Sequence, residues 1–192
     1  MLNYRNQVLA VAVLVCWWVL TGVNLFAFNA PENEQQASGK TEAPFLNNAL
    51  EAVADFPVYL YFADNNNQYL LGEERDGLGA GDPVLFCRQI MNALIQGPHS
   101  GLVPTMPLAT EIRAIYIDEK TAYVDFTREI AVSHSGGILS ELMTIYSIVN
   151  TLVLNVDGVD QVKILIGGQE AETLSGHIDI RFPLNADMLL IR

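Results

Sequence analysis

Residues Val8 to Phe28 form a run of 21 positions without a charge, opened by Arg5 and closed by the acidic stretch Pro31 to Glu34. At about 1.5 Å per residue, a helix of this run is about 31 Å long and matches a hydrocarbon core of about 30 Å. The chain therefore opens with a predicted membrane span. A secretory signal has a shorter apolar region of about 7 to 15 residues and a small-x-small cleavage site. Ala27 follows Leu25 and Ala30 follows Phe28 at the positions where a second small residue belongs, so an uncleaved anchor is favoured and a cleaved signal peptide is the alternative. Cys16 lies mid-span behind Val13, Leu14 and Val15, which is no lipidation site. Arg5 on one side and acids on the other predict a cytoplasmic tail at 1–7 and a single pass through the inner or cytoplasmic membrane. The body is then expected in the periplasm or extracytoplasmic space.

Beyond the span, the chain is long enough for one ordinary domain and a tether. The net charge is −12, and the part from Pro57 onward holds 17 Asp and Glu against 8 Lys and Arg. A field of that sign repels phosphate backbones and disfavours nucleic acid as a partner. Cys16 lies in the span and Cys87 on a predicted helix face, so no disulfide is expected and an exported domain must stand on packing.

Pro31 to Pro44 contains no aromatic and no β-branched apolar residue, and cannot bury enough surface to order itself. Residues 29–56 thus read as a linker. Within it, Phe45, Leu46, Ala49, Leu50 and Val53 recur at helical spacing and mark 45–54 as a short docking helix. The body, 57–192, begins with a strand run Val58–Ala63, a turn at Asp64–Asn67 and an extended run Gln68–Glu74. Asp82 and Pro83 supply an N-cap and N1 pair. Cys87, Ile90, Met91 and Leu94 give an apolar face, and Gly97 with Pro98 ends that helix. Glu111–Ile117 and Ala122–Phe126 form a second hairpin about Asp118–Thr121. A longer helix spans Gly137–Leu154, and strands follow at Gln161–Ile166 and His177–Phe182. The predicted fold class is α+β: a two-layer sandwich in β-β-α-β-β-α-β-β order, a mixed sheet with two helices on one face, preceded by a single transmembrane helix.

Several stretches carry a family resemblance. Val58-Tyr59-Leu60-Tyr61-Phe62 opens the body, followed by Ala93-Leu94-Ile95-Gln96-Gly97-Pro98 with Gly101-Leu102 and Pro104 through Pro107. Ala122-Tyr123-Val124-Asp125-Phe126, Thr151-Leu152 with Gly158-Val159, Val162 through Gly167-Gly168, and Gly176-His177-Ile178-Asp179 complete the set. In order and spacing these resemble the GerMN domain, the sporulation and spore germination module of bacterial envelope proteins, over roughly Pro57 to Arg192. Ala109, the turn Glu119-Lys120 and Gly167 depart from the family pattern at turn positions. The resemblance implies a compact α+β domain similar to the ring-building modules of envelope assemblies. It implies no established enzymatic activity and no cofactor, so no catalytic residue is carried over. Gly97, Pro98, Gly101, Pro104, Pro107, Gly158, Gly167, Gly168 and Gly176 are the structural positions of the motif.

The residues themselves offer little catalytic pattern. Gly77-Leu78-Gly79-Ala80-Gly81 leads into a helix, but Asp82 would put a carboxylate at the anion site and no P-loop lysine follows, so a plain loop is favoured. His99, His134 and His177 have no partner at a ligand spacing, and no metal site is expected. Ser133-His134-Ser135 reads as a loop at a helix start rather than part of a triad. Asp64-Asn65-Asn66-Asn67 lacks the register of a calcium loop. Asp125 and Asp179 are expected to pair with Arg113, Lys163 or Arg181.

Ser140, Thr144, Ser147 and Thr151 recur at spacings of four, three and four along the second long helix, an uncharged stripe on an apolar rod. Two readings fit it: a helix buried against the sheet, or a small-residue face approached by another helix or subunit. The stripe is the candidate partner surface. The expected function is that of a membrane-anchored, non-catalytic protein that binds or scaffolds envelope components, through protein assembly or a homo-oligomer. Peptidoglycan binding through Tyr59, Tyr61, Tyr69, Tyr116 and Tyr123 is the alternative, and an envelope hydrolase the weaker one.

Overall fold

The computed structural model describes residues 57–79 and 81–192; the expected tail, span, linker and docking helix (1–56) lie outside the described residues. The chain runs through β1 (Val58–Ala63), β2 (Leu70–Arg75), α1 (Pro83–Gln96), β3 (Ile112–Asp118), β4 (Thr121–Phe126), α2 (Glu129–Val132), α3 (Ile138–Asn155), β5 (Gln161–Ile166), β6 (Gln169–Glu170) and β7 (Leu184–Asn185). A 3-10 turn, Met188–Leu190, closes it. The α+β class with a mixed sheet holds: β3 and β4 are antiparallel, whereas β4 and β5 run parallel.

The core is built from alternation in the strands and helical faces above them. Ala122, Val124 and Phe126 of β4 and Val162 and Ile164 of β5 point inward, where they meet Ile90 and Leu94 of α1 and Ile145, Ile148 and Leu152 of α3. α1 lies against β1 and β3, and α3 against β1 and β5. α1 is bounded as its sequence dictates. The Asp82 carboxylate accepts the Leu85 amide at 2.9 Å, Pro83 takes the first turn, and Gly97 turns the chain away at φ 91°, an angle a side chain resists. Among the described residues α3 alone has the length and apolarity of a membrane span. Ile145, Ile148 and Leu152 are nevertheless packed in the core, so it is a core helix.

Two expectations are corrected. The strands do not form one sheet. β1 and β2 make a separate hairpin sheet beside a five-stranded sheet ordered β3-β4-β5-β6, with β7 also on β5. The reason lies at the outer edge of β1, where α3 side chains occupy groups that another strand would use. Tyr59 N–H donates to Asn155 Oδ1 at 2.9 Å, Asn155 Nδ2 donates to the Tyr59 carbonyl at 2.8 Å, and Tyr61 N–H donates to Thr151 Oγ1 at 3.1 Å. An edge so capped has no need of a strand partner.

The second correction concerns His177–Phe182, which alternates apolar and polar residues yet is not a strand; only an isolated bridge joins Thr173 and Asp179. Its backbone groups are satisfied elsewhere. His177 N–H goes to Glu141, Ile180 N–H to the Glu172 carbonyl, and Arg181 N–H to its neighbour Asp179. Lys163 takes the carbonyls of Ile180 and Arg181. Phe182, expected inward, is 70 % exposed. The final strands are instead the two-residue β6 and β7.

Candidate functional site

The candidate surface stripe is largely interior. Thr144, Ser147 and Thr151 are fully buried, and each hydroxyl has a partner within the chain. Thr144 Oγ1 donates to the Thr105 carbonyl, Ser147 Oγ shares a proton with Thr105 Oγ1 at 2.6 Å, and Thr151 holds β1. Ser140, at the half-buried start of the stripe, pairs with Ser135 at 2.6 Å. The stripe thus fixes β1 and the Thr105 loop to α3, and an exposed small-residue face is ruled out for its three buried members. His134 belongs to the same cluster. Its Nδ1 accepts the Gly136 amide at 3.0 Å and its Nε2 faces Thr144 Oγ1 at 2.9 Å. Burial pushes the His134 pKa down, consistent with the neutral ring that these contacts need.

The buried charges follow the same pattern. Glu141, in the first turn of α3, is wholly buried. Its Oε1 accepts the amides of Leu174 and Ser175 at 3.0 and 2.8 Å. Its Oε2 accepts the amide and ring N–H of His177 at 2.9 and 2.8 Å. Burial alone would raise this carboxyl, yet the Ser175 amide and the His177 ring and amide bring it below the ordinary range. Glu73, on β2, performs the same task for the loop after α1. It accepts the amides of His99 and Ser100 at 3.0 and 2.7 Å, the Ser100 hydroxyl and Arg75 Nε at 2.7 Å. Burial again opposes the charge, but the Ser100 hydroxyl, the His99 amide and Arg75 hold it down at about 2.

On the face of the large sheet opposite the core, a bulge between Ile112 and Ala114 frees Arg113 to reach Asp125 at 2.9 Å. Asp125 also accepts the Gly168 amide at 2.8 Å. Gly168 has φ 82°, an angle a side chain resists, while a Cβ there would make only ordinary contact with the Arg113 guanidinium at 3.4 Å, so the angle is what calls for glycine. Asp179 pairs with Arg181 at 2.8 Å, while Lys163 has Glu170 as its nearest carboxylate at 3.9 Å. Of the motif prolines, Pro104 stacks beside Gly97 and the Pro107 carbonyl accepts the Thr110 amide. Gly97, Gly101, Gly158, Gly167, Gly168 and Gly176 all have positive φ.

No group of three His, Cys, Asp or Glu side chains converges to hold a metal among the described residues. Cys87 is fully buried on α1, and burial raises its thiol to about 11, so it is neither thiolate nor accessible. Ser100 bonds Glu73 rather than a histidine, and Ser135 bonds Ser140; neither is arranged as a nucleophile with its base. The tyrosines do not form one shelf. Tyr116 and Tyr123 stack on the large sheet with ring centroids 4.6 Å apart, Tyr59 reaches Glu74, and Arg192 lies over Tyr69.

The model of the Germane family, described as sporulation and spore germination, matches residues 59–172, more than half of the chain. The chain belongs to this family. Among solved structures, the first GerMN domain of the sporulation protein GerM from Bacillus subtilis is similar at 21 % identity and a TM-score of 0.54, covering 70 % of this chain and 98 % of that one. The tandem GerMN domains of the same protein align at 22 % identity and a TM-score of 0.53, covering 69 % of this chain and 45 % of theirs. A candidate lipoprotein from Clostridium perfringens aligns at 23 % identity and a TM-score of 0.51, covering 70 % and 89 %. These likenesses establish the GerMN fold. No curated protein matches the chain.

The motif glycines and prolines shape turns, and the buried glutamates, which sequence reasoning did not single out, hold the loops between them. A signal for Glu141 was present: it is the last charge before a stretch free of charge up to Asp157, at the start of the most apolar helix of the body.

Proposed function

We propose that this chain is a membrane-tethered, non-catalytic member of the Germane family whose domain scaffolds envelope components through protein assembly. In this reading Val8–Phe28 is the anchor, the N-terminus is cytoplasmic, and the domain works in the periplasm or extracytoplasmic space. The observation that carries it is the use of the buried ionisable groups. Glu73, Glu141 and Lys163 each bind backbone of this same chain, an arrangement suited to rigidity rather than to turnover. The lipoprotein description of the Clostridium perfringens neighbour supports an envelope setting.

With the α3 stripe internal, the assembly surface is assigned to the exposed apolar side chains at the α2–α3 junction. Val132 is 81 %, Ile138 59 % and Leu139 50 % exposed, in a region where a soluble surface would ordinarily carry charge. Photo-crosslinkers placed at these three positions in intact cells test the reading. Defined protein adducts, lost on Leu139→Asp, are the expected result. Sedimentation with insoluble peptidoglycan that depends on Tyr116 and Tyr123, with no protein adduct, would replace assembly by glycan binding, the reading that the stacked tyrosine pair favours.

A further inference from the structure

Most strand edges of this domain are taken. α3 side chains cap β1, Arg192 N–H donates to the Leu70 carbonyl at the start of β2, and the two-residue β6 and β7 cover β5. The outer edge of β3 is the exception. β3 pairs with β4 alone, and the direction of its backbone groups follows from the bonds around β4. Gly167 N–H bonds the Phe126 carbonyl on the β5 side, whereas Thr127 N–H bonds the Glu111 carbonyl on the β3 side. Odd-numbered residues of β4 therefore face β3. Tyr123 lies opposite Tyr116 and Thr121 opposite Asp118, so the main chains of Tyr116 and Asp118 are used within the sheet. Ile115 and Ile117 then turn their N–H and carbonyl groups outward. Among the described residues, the one bond that reaches the β3 main chain from outside the sheet is that of Arg88 to the Ile112 carbonyl, at 3.5 Å.

We propose that the β3 edge pairs with the β3 edge of a second copy of this chain, antiparallel about a two-fold axis at Tyr116. In this register Ile115 of each copy faces Ile117 of the other, and the outward main-chain groups of both are satisfied. Tyr116 meets its equivalent as a non-hydrogen-bonded pair, the kind in which side chains come closest. Its ring stacks on Tyr123 with centroids 4.6 Å apart, yet the residue is 46 % exposed, so pairing extends the stack across the axis. Charge selects this register. Arg113, half exposed, comes opposite the Asp118-Glu119 end of the second copy, and Glu111 falls beside its Lys120. Moving the axis to Ile115 would instead set Glu111 against Glu119, and parallel pairing in register would set every charge against its like. The bulge between Ile112 and Ala114 blunts the start of the edge and confines regular pairing to 114–118. A contact one strand long, between two copies with the same acidic excess, is of the weak and reversible kind. It uses residues other than those of the α2–α3 junction, so neither contact requires the other.

A weak contact is best caught by a covalent trap, in the full chain under mild oxidation of intact cells. Cys16→Ser is the background, and Cys87 is buried and out of reach. At the axis the two Cα atoms lie about 4.5 Å apart, within disulfide range, whereas Ala114 lies about 13 Å from its equivalent. Tyr116→Cys should therefore give about tenfold more covalent dimer than Ala114→Cys. Equal yields, or no dimer from either variant, would overturn the proposal. Hydrogen exchange of the detergent-solubilised full chain supplies a readout that keeps Tyr116 in place. The amides of Ile115 and Ile117 should exchange about tenfold more slowly at high protein concentration than at low. Rapid exchange of both at every concentration would overturn the pairing. Slow exchange of both in the monomer would also overturn it, since the chain would then cover this edge itself.

Discussion

At the scale of single residues, the interior polar groups differ in how well they are satisfied. Thr110 Oγ1 is the one buried side-chain oxygen or nitrogen without a hydrogen bond among the described residues. A valine has nearly the same shape and no polar atom to strand, so Thr110→Val should leave stability unchanged or raise it by up to about 1 kcal/mol in urea unfolding. Glu73 is the opposite case. Its folded pKa of about 2 lies below the ordinary 4.5, so its contribution is complete above the unfolded value and is lost as the pH falls through the folded one. Unfolding free energies measured from pH 5 down to pH 2 should therefore decline, by on the order of 3 kcal/mol from this group. Glu73→Gln should be less stable at pH 7 and show a shallower decline. Glu141 is lowered in the same direction and adds to the fall, while burial of neutral His134 adds a loss that begins as the pH drops below its ordinary, unfolded pKa and is complete below its lowered one.

At the scale of elements, α3 is the member on which the others depend. Its hydroxyl and amide side chains cap β1, hold the Thr105 loop and, through Glu141 and Asn150, tie down the backbone at 174–177 and at Asp187. Thr144→Lys with Ser147→Lys would place two unpaired ammonium groups in this interface. A loss of at least about 4 kcal/mol is expected, enough to unfold a marginal domain, and thermal melting measures it. Elements whose signals are local were legible in the sequence. Asp82, Pro83 and Gly97 delimit α1, alternation marks β1, β4 and β5, and apolar periodicity marks α3 within a residue of its ends. Elements decided by distant partners were not. The alternation in 177–182 looked like a strand because nothing local shows that Glu141, Glu172 and Lys163 take its backbone groups. Likewise Ser140, Thr144, Ser147 and Thr151 announced a polar stripe but not its direction, which depends on Thr105 and β1 lying more than thirty residues away.

At the scale of the whole molecule, the described domain is a GerMN fold whose loops at 97–110 and 171–183 carry little secondary structure and are held by buried side chains instead. This division leaves the interior fixed, and the exposed junction at Val132, Ile138 and Leu139, the surface proposed for assembly, lies outside it. For the assembly we propose, the excess of acids from Pro57 onward, 17 Asp and Glu against 8 Lys and Arg, favours partners with basic surfaces and an association rate that falls as salt rises. Buried charge here holds loops in place. Amide-resolved hydrogen exchange of the parent and of Glu141→Gln addresses it directly. Slow exchange is expected at Leu174, Ser175 and His177 in the parent and fast exchange at all three in the variant, with β4 amides still protected. Amides at those positions that are already fast in the parent, or that remain slow in Glu141→Gln, would contradict it.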